Sequence, residues 1–367
     1  MPPDFVSDVD AVLRFLPRDL AALADEHDVL RVQHGNAKIT TARDLLWIFF
    51  VHAGLDLPLR QTSAVIREAN GPSVSPMRIH KKLIRSVPFL EALMQRMATI
   101  AGDRSEERWL GYRVLTIDAT TMCGPGATGT DARIHSVMEL ASLRISQIEV
   151  TDERGGETLS RFEWTSGDLV VGDRGYSHAN GIEKVVRQGG DVLVRLNWNA
   201  LPLRWSDREK ADVIGWLRTL EGHGCHERAA YFETRDKQKS VVSGRVIARR
   251  LKEDEFAAAE DRLRREHSAK DITPEMLESA HYMVLFTTSR LSAFDCVELY
   301  RLRWQIELQF KRWKSICGFG RLPNYRDETI LAWIYLKVIL GIVLEQIAAP
   351  PSDRSKAFPP EAREVAA

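Results

Sequence analysis

Residues 300–314 read YRLRWQIELQFKRWK, and the spacing inside that stretch decides how the rest of the chain is read. Tyr300, Arg303, Glu307 and Lys314 recur at intervals that, at about 100° per residue on an α-helix, fall within a sector of roughly 60°. The pattern predicts one helical face carrying a phenol, two cations and a carboxylate. Trp304, Lys311, Arg301, Phe310, Arg312 and Trp313 crowd the same segment, and Arg321 follows it. Two readings are open. The face is an ordinary solvated one, knit by i,i+4 pairs, or it holds phosphates through Arg and Lys. In the second reading Trp304, close to the Tyr300–Glu307 face, supports an unstacked base, and Phe310 belongs to the core.

Working outward, two apolar runs each lead to an aspartate. YRVLTIDAT (112–120) predicts a strand ending at Asp118, and LVVGDRGY (169–176) a second strand ending at Asp173. Either aspartate alone reads as a strand-end cap: Thr120 is a local partner for Asp118, and Arg174 for Asp173. Two of them with Glu307 form an oxygen-only donor set, the kind that suits a pair of Mg²⁺ ions in in-line phosphoryl transfer. The constellation points to an enzyme acting on the nucleic-acid backbone. Arg174 and Arg195 are weaker candidates, as are His135 and His178, which more often complete local hydrogen bonds.

Around these residues the periodicity is mixed. IHSVMEL and LRISQIEV read as strands, HANGIEKVVRQGG as a helix closed by Gly189-Gly190, and DVLVRLN as another strand. Strands with an intervening helix predict an α/β mixed-sheet core over 106–197, resumed over 281–348 after HYMVLFTT. Between them, 198–280 reads as a β-rich insertion: KADVIGWLRTLEG is a short helix, and ERAAYFETRD and KSVVSGRVIARRL are strands. Residues 349–367 read as a flexible tail.

Residues 1–105 read as an all-α domain. Ser7, Asp8 and Asp10 open a first helix, Gly54 ends RDLLWIFFVHAG, and Asn70-Gly71-Pro72 stops RQTSAVIREANG. Ser75 then caps a helix with Pro76 at its first position. Helix, glycine-containing break, helix is the outline of a helix-turn-helix, and Arg60, Arg67, Arg78, Lys81, Lys82 and Arg85 make its surface basic. Its candidate DNA contacts are Arg78, Lys81, Lys82 and Arg85; a bundle with a solvated basic face is the plain alternative.

Composition adds little. Lys+Arg and Asp+Glu balance at 51 each over 367 residues, so any polyanion site must concentrate its charge locally. Four scattered cysteines have no metal or disulfide spacing and suit reduced cytosolic thiols. The apolar segment 330–347 contains Lys337 and Glu345 and reads as a core helix rather than a membrane span. There is no GxxxxGK[ST] loop and no strand-associated GxGxxG, so a nucleotide cofactor has no support, and GPGATGT (124–130) reads as a loop.

With these motifs in place, the chain resembles the IS4-type DDE transposases, bacterial insertion-sequence enzymes with an RNase H-like core. The signature Tyr, two residues, Arg, three residues, Glu, six residues, Lys matches Tyr300, Arg303, Glu307 and Lys314 without a gap, IDAT matches at Asp118 and GDRGY at Asp173. The resemblance spans roughly residues 35 to 345. It implies that Asp118, Asp173 and Glu307 are catalytic and ligate Mg²⁺, with Mn²⁺ as a substitute and two ions in all. It implies that Tyr300, Arg303 and Lys314 contact phosphate, with Trp304 and Lys311 beside them at the DNA. The partners it implies are double-stranded DNA at transposon inverted repeats and target DNA, bound by a homodimer on paired ends in the bacterial cytoplasm, at the nucleoid. The expected reaction cleaves phosphodiester bonds and joins 3′-OH ends to target. A nuclease without strand transfer and a non-catalytic DNA-binding relative remain as alternatives.

Overall fold

The computed structural model describes residues 11–31, 38–102, 108–126, 129–234, 239–266, 268, 271–320, 322–323 and 327–348. The expected helix start at Ser7–Asp10, Arg321 and the 349–367 tail lie outside the described residues. So does part of the 124–130 loop.

Ten strands form one sheet in the order β3-β2-β1-β4-β5-β10-β9-β8-β6-β7. They are β1 (Arg113–Met122), β2 (Ala132–Glu139), β3 (Arg144–Asp152), β4 (Asp168–Gly172), β5 (Asp191–Arg195), β6 (Arg204–Ser206), β7 (Glu209–Lys210), β8 (Cys225–Glu233), β9 (Val241–Arg250) and β10 (Tyr282–Thr287). β1, β4 and β5 run parallel, while β2 and β3 pair antiparallel as consecutive hairpins on the β1 side. The 3-2-1-4-5 order with that mixture of directions is the RNase H-like arrangement expected from the sequence. β4 is buried along its whole length, as a central parallel strand covered on both faces must be.

The segment 198–280, read as a β-rich insertion, contributes β6 to β9. Its strands extend the same sheet, because β9 pairs with β10, which pairs with β5. It also carries helices that the charged, weakly periodic sequence after Leu251 did not reveal: α8 (Glu253–Glu266) and α9 (Pro274–Ala280), in addition to the expected α7 (Val213–Arg218). The other core helix, α6 (Ala179–Arg187), connects β4 to β5.

N-terminal to the sheet lie α1 (Leu20–Glu26), α2 (Ala42–Gly54), α3 (Leu59–Glu68), α4 (Pro76–Arg85) and α5 (Val87–Gly102). The Ser75 side chain accepts from Arg78 N–H, with Pro76 following, so the cap forms where it was expected. The single helix expected from Pro76 through Met97 is two. α4 ends at Arg85 with Ser86 as its C-cap, and Pro88, having no N–H, cannot donate to the Ile84 carbonyl and carry the ladder on into α5.

Two helices meet at Arg303: α10 (Ala293–Leu302) and α11 (Trp304–Ile316). Arg303 itself keeps helical angles, φ −51° and ψ −32°, and it stands beside Tyr300 and pairs with Glu307, so the expected face persists across this one-residue interruption. The two halves serve different cores. Leu299, Tyr300 and Leu302 pack on the sheet with Val114, Leu169, Val171 and Leu193. Ile306, Phe310 and Trp313 pack with the N-terminal helices and the outer strands.

The last helix, α12 (Asp327–Ala348), packs against α2, α4 and α5. It is long and apolar enough to cross a membrane by length and composition, yet most of it is buried in the protein. Its buried Lys337 pairs with Asp56 at 2.8 Å. Glu345, on the same helix, accepts from Gln309 Nε2 at 2.5 Å and Trp313 Nε1 at 3.0 Å, tying α12 to α11.

Candidate active site

Arg113 opens β1, and its guanidinium grips Asp168 at the start of β4 through two bonds of 2.7 and 3.0 Å. That buried carboxylate also caps the preceding turn by accepting from Thr165 N–H. The clamp fixes the register of the parallel ladder, Arg113 opposite Asp168 and Thr116 opposite Val171. Two residues beyond Thr116 stands Asp118, and two beyond Val171 stands Asp173. Strand alternation gives both the facing of Val114 and Val171, toward α10. The sheet thus delivers the two aspartates side by side at the end of the β1–β4 ladder.

Asp118 does not end its strand as expected, because β1 continues to Met122 through its antiparallel pairing with β2. Asp173 does end β4. Its side chain caps the following 3₁₀ turn by accepting from Gly175 N–H at 2.8 Å, the local role open to any strand-end aspartate.

Glu307 lies in the first turn of α11. Between it and Asp118 sits Arg303, which pairs with Glu307 at 2.5 Å and reaches Asp118 at 3.5 Å. The break between α10 and α11 places this arginine at the pivot. Burial pushes the Asp118 carboxyl up to about 7. The Arg303 guanidinium and the Ala119 N–H oppose that rise, and the nearby Asp173 and Glu307 charges add to it. Asp118 therefore senses both other carboxylates.

Tyr300, expected at the phosphate, is 8% exposed. Its ring lies 5.8 Å from the Arg303 guanidinium, and burial raises its phenol above the ordinary range, with Arg303 and Arg195 opposing. It supports Arg303 from beneath rather than meeting solvent. Trp304 is 47% exposed, the condition for stacking on a base. Lys311 and Lys314 are exposed on α11. Lys314 lies two turns, about 10 Å, along the axis from Glu307, and so extends the surface rather than joining the carboxylates.

Lys82 corrects the expectation for the N-terminal helices. It is buried, and its ammonium donates to the carbonyls of Val29 and Arg31. Lys81 and Arg85 are exposed and Arg78 is half-buried, leaving them with Arg60 and Arg67 as the basic surface of α3 and α4. His135 is buried against Thr151, and burial, then Arg161 and Arg133, lower it to about 3, so it stays neutral.

Two further residues stand near these carboxylates, Tyr176 at the end of a quoted motif and Glu157 outside every motif. Tyr176 closes GDRGY and is fully buried, its hydroxyl without a hydrogen-bond partner. Burial, then the charges of Asp118, Glu157 and Asp173, drive its phenol far above the ordinary range. Glu157, in the turn-rich link before β4, is raised by burial and by Asp173. Trp198 carries the Arg174 guanidinium 5.7 Å from its ring centre, at the edge of the same region.

Among the described residues, no three His, Cys, Asp or Glu side chains are gathered to hold a metal ion by themselves. Mg²⁺ does not need such a cage, since it commonly takes one or two carboxylates and fills its octahedron with water and substrate phosphate. The hard oxygen donors here, and a buried phenol hydroxyl with nothing to bond, fit an ion of that kind.

Residues 109–341 match the family model described as Transposase DDE domain. Among curated proteins, the transposase of insertion sequence element IS421 from Escherichia coli is 30% identical over 260 residues, 68% of each chain. InsL of insertion sequence element IS186A, from Escherichia coli strain K12, is 27% identical over 337 residues, 88% of each chain. The transposase of insertion sequence element IS231E from Bacillus thuringiensis subsp. finitimus is 26% identical over 193 residues, 47% of this chain and 40% of that protein.

Proposed function

This chain belongs to the transposase DDE domain family, and on that premise we propose that it cleaves DNA at the ends of an insertion sequence and joins the released 3′-OH ends to target DNA. The observation that carries the reading is the pairing of Asp118 and Asp173 at the end of one parallel ladder, with Arg303 linking Asp118 to Glu307. Each step exchanges one phosphodiester or water oxygen for another at phosphorus. Water attacks first and leaves a 3′-OH, and that hydroxyl then displaces a strand of the target.

Asp118, Asp173 and Glu307 would hold divalent ions, two Mg²⁺ or Mn²⁺ in its place. Such ions, when bound, polarise the phosphoryl group and activate the attacking oxygen. The protein's own part is positioning and charge. The ladder fixes the two aspartates, and α11 brings Glu307 to them. Arg303 is a cation between carboxylates, with a planar fork able to take phosphate oxygens bidentately. Lys311 and Lys314 continue a positive track along α11, and Trp304 offers a face to an unpaired base. Tyr300 keeps Arg303 in place. Arg78, Lys81 and Arg85 would bind duplex flanking the cut, and two copies would hold paired ends in the cytoplasm.

The test is cleavage of a labelled duplex containing the element's end, with Mg²⁺ supplied or withheld, followed by a target-joining assay. Asp118→Asn, Asp173→Asn and Glu307→Gln should abolish Mg²⁺-dependent cleavage and retain most DNA binding. Cleavage without joining would favour a nuclease, and binding without cleavage a non-catalytic relative. Cleavage indifferent to all three substitutions would overturn the reading.

A further inference from the structure

Glu157 follows Gly155-Gly156 in the link between β3 and β4, and its carboxylate ends against the 3₁₀ turn that starts at Asp173. A Cβ built on Gly175 would lie 2.3 Å from Glu157 Oε2 and 3.1 Å from Asp173 Oδ1. The two carboxylates therefore converge over the bare backbone of Gly175, and a side chain there would displace Glu157 Oε2. Asp173 Oδ1 takes the Gly175 N–H. Among the described residues, no hydrogen bond or ion pair reaches Glu157. Arg133, the nearest opposing charge, has one nitrogen committed to the Gly155 carbonyl at 2.8 Å.

A second observation lies beside these carboxylates. The Tyr176 hydroxyl is wholly buried, has no partner, and lies in the field of Asp118, Glu157 and Asp173. Two carboxylates with unused lone pairs and a neutral hydroxyl able to donate or accept are the surroundings of a hydrated hard cation. Magnesium-type ions bind one or two carboxylates directly and present waters to neighbouring groups.

We propose that Glu157 is a fourth acidic residue of this site. With Asp173 it forms a binding place for a hydrated divalent cation, and the Tyr176 hydroxyl accepts a hydrogen bond from one of that cation's waters. The inference rests on the phosphoryl-transfer reading above in treating Asp173 as an ion ligand. It adds a residue from outside the three expected motifs.

The experiment titrates the full chain with Mn²⁺ in the absence of DNA and follows free Mn²⁺ by electron paramagnetic resonance. Glu157→Gln should weaken the apparent affinity at least tenfold, in line with losses at ligand-supporting positions. Gly175→Ala keeps every carboxylate and should weaken it too, because its methyl group must push Oε2 aside. Melting temperatures identify any variant that is unfolded, and Gly175→Ala carries the test if Glu157→Gln is. Titrations of both folded variants that superimpose on the parent would overturn the proposal. If Asp118→Asn abolishes cleavage while Glu157→Gln changes neither cleavage nor Mn²⁺ uptake, the catalytic reading survives and this inference fails. If Mn²⁺ uptake depends on Glu157 but no cleavage occurs, the cation place stands and the catalytic reading fails.

Discussion

Arg303 reaches Asp118 at 3.5 Å across 185 residues of chain, while holding Glu307 four residues away on its own helix. One guanidinium thus stands between two carboxylates and offsets part of their mutual repulsion. A cation is built into the place where negative charge accumulates, and it is a cation with five donors that phosphate oxygens can recruit.

Replacing Arg303 by Met should expose that balance. Burial already holds the Asp118 carboxyl up to about 7 against the opposing pull of Arg303, so without the guanidinium it should titrate higher still. Carbon-13 NMR of labelled aspartate carboxyls reads this directly. At pH 8 the variant should lose on the order of 2 kcal/mol of stability, because a partly buried charge loses its partner. An unchanged Asp118 titration would show that the pair is not formed in solution.

Asp118→Asn should stabilise the protein while removing catalysis. The folded-state pKa is raised, from 3.8 to about 7. The folded protein therefore holds the proton more tightly than the unfolded chain, and stability from this group is complete below pH 3.8 and declines as pH rises to 7. The shift corresponds to on the order of 4 kcal/mol at pH 8. Urea melts at pH 4 and pH 8 should show asparagine and parent nearly equal at the lower pH and asparagine ahead at the higher one.

Glu345 makes a similar prediction far from the chemistry. Burial, opposed first by Arg312, raises its carboxyl from 4.5 to about 7. Its contribution to stability should fall by about 3 kcal/mol between those pH values, and Glu345→Gln should flatten that part of the pH–stability curve. In the protonated form a turned Gln309 amide would let Gln309 Oε1, which has no partner, accept from the new O–H. An equal slope in parent and variant would remove Glu345 from the account.

The basic helices separate into two kinds of lysine. Lys82→Ala should cost about 2 kcal/mol or more, since it strands the Val29 and Arg31 carbonyls that its ammonium serves. Lys81→Ala should leave the melting temperature nearly unchanged. If that face contacts phosphate, it should lower the slope of log affinity against log salt by about 0.9. Thermal melts and binding at several salt concentrations distinguish the two.

The core strands, the turn at Asp173 and the Ser75 cap were legible because each depends on neighbours in sequence: alternation, apolar runs and local hydrogen bonds. The identity of Asp118, Asp173 and Glu307 as a set was legible only jointly, through motif spacing. What spacing could not show is which cores the two helices serve: α10 packs on the sheet and α11 on the N-terminal helices and outer strands, a choice that nothing within 300–314 encodes by itself. Burial of Tyr300 and Lys82 has the same origin, since whether a long polar side chain faces water depends on what packs over it.

The sequence by itself determined the secondary structure of the core and which residue types the site would contain, because helix and strand periodicity and turn chemistry are local. Only the tertiary structure decided which of those residues meet. Asp118 stands beside Asp173 because the Arg113–Asp168 clamp sets a register across 55 residues. Glu157 lies against Gly175 because a loop folds back over a turn. Contacts made across such distances are fixed by packing and pairing of the whole sheet, and no short window of sequence contains them.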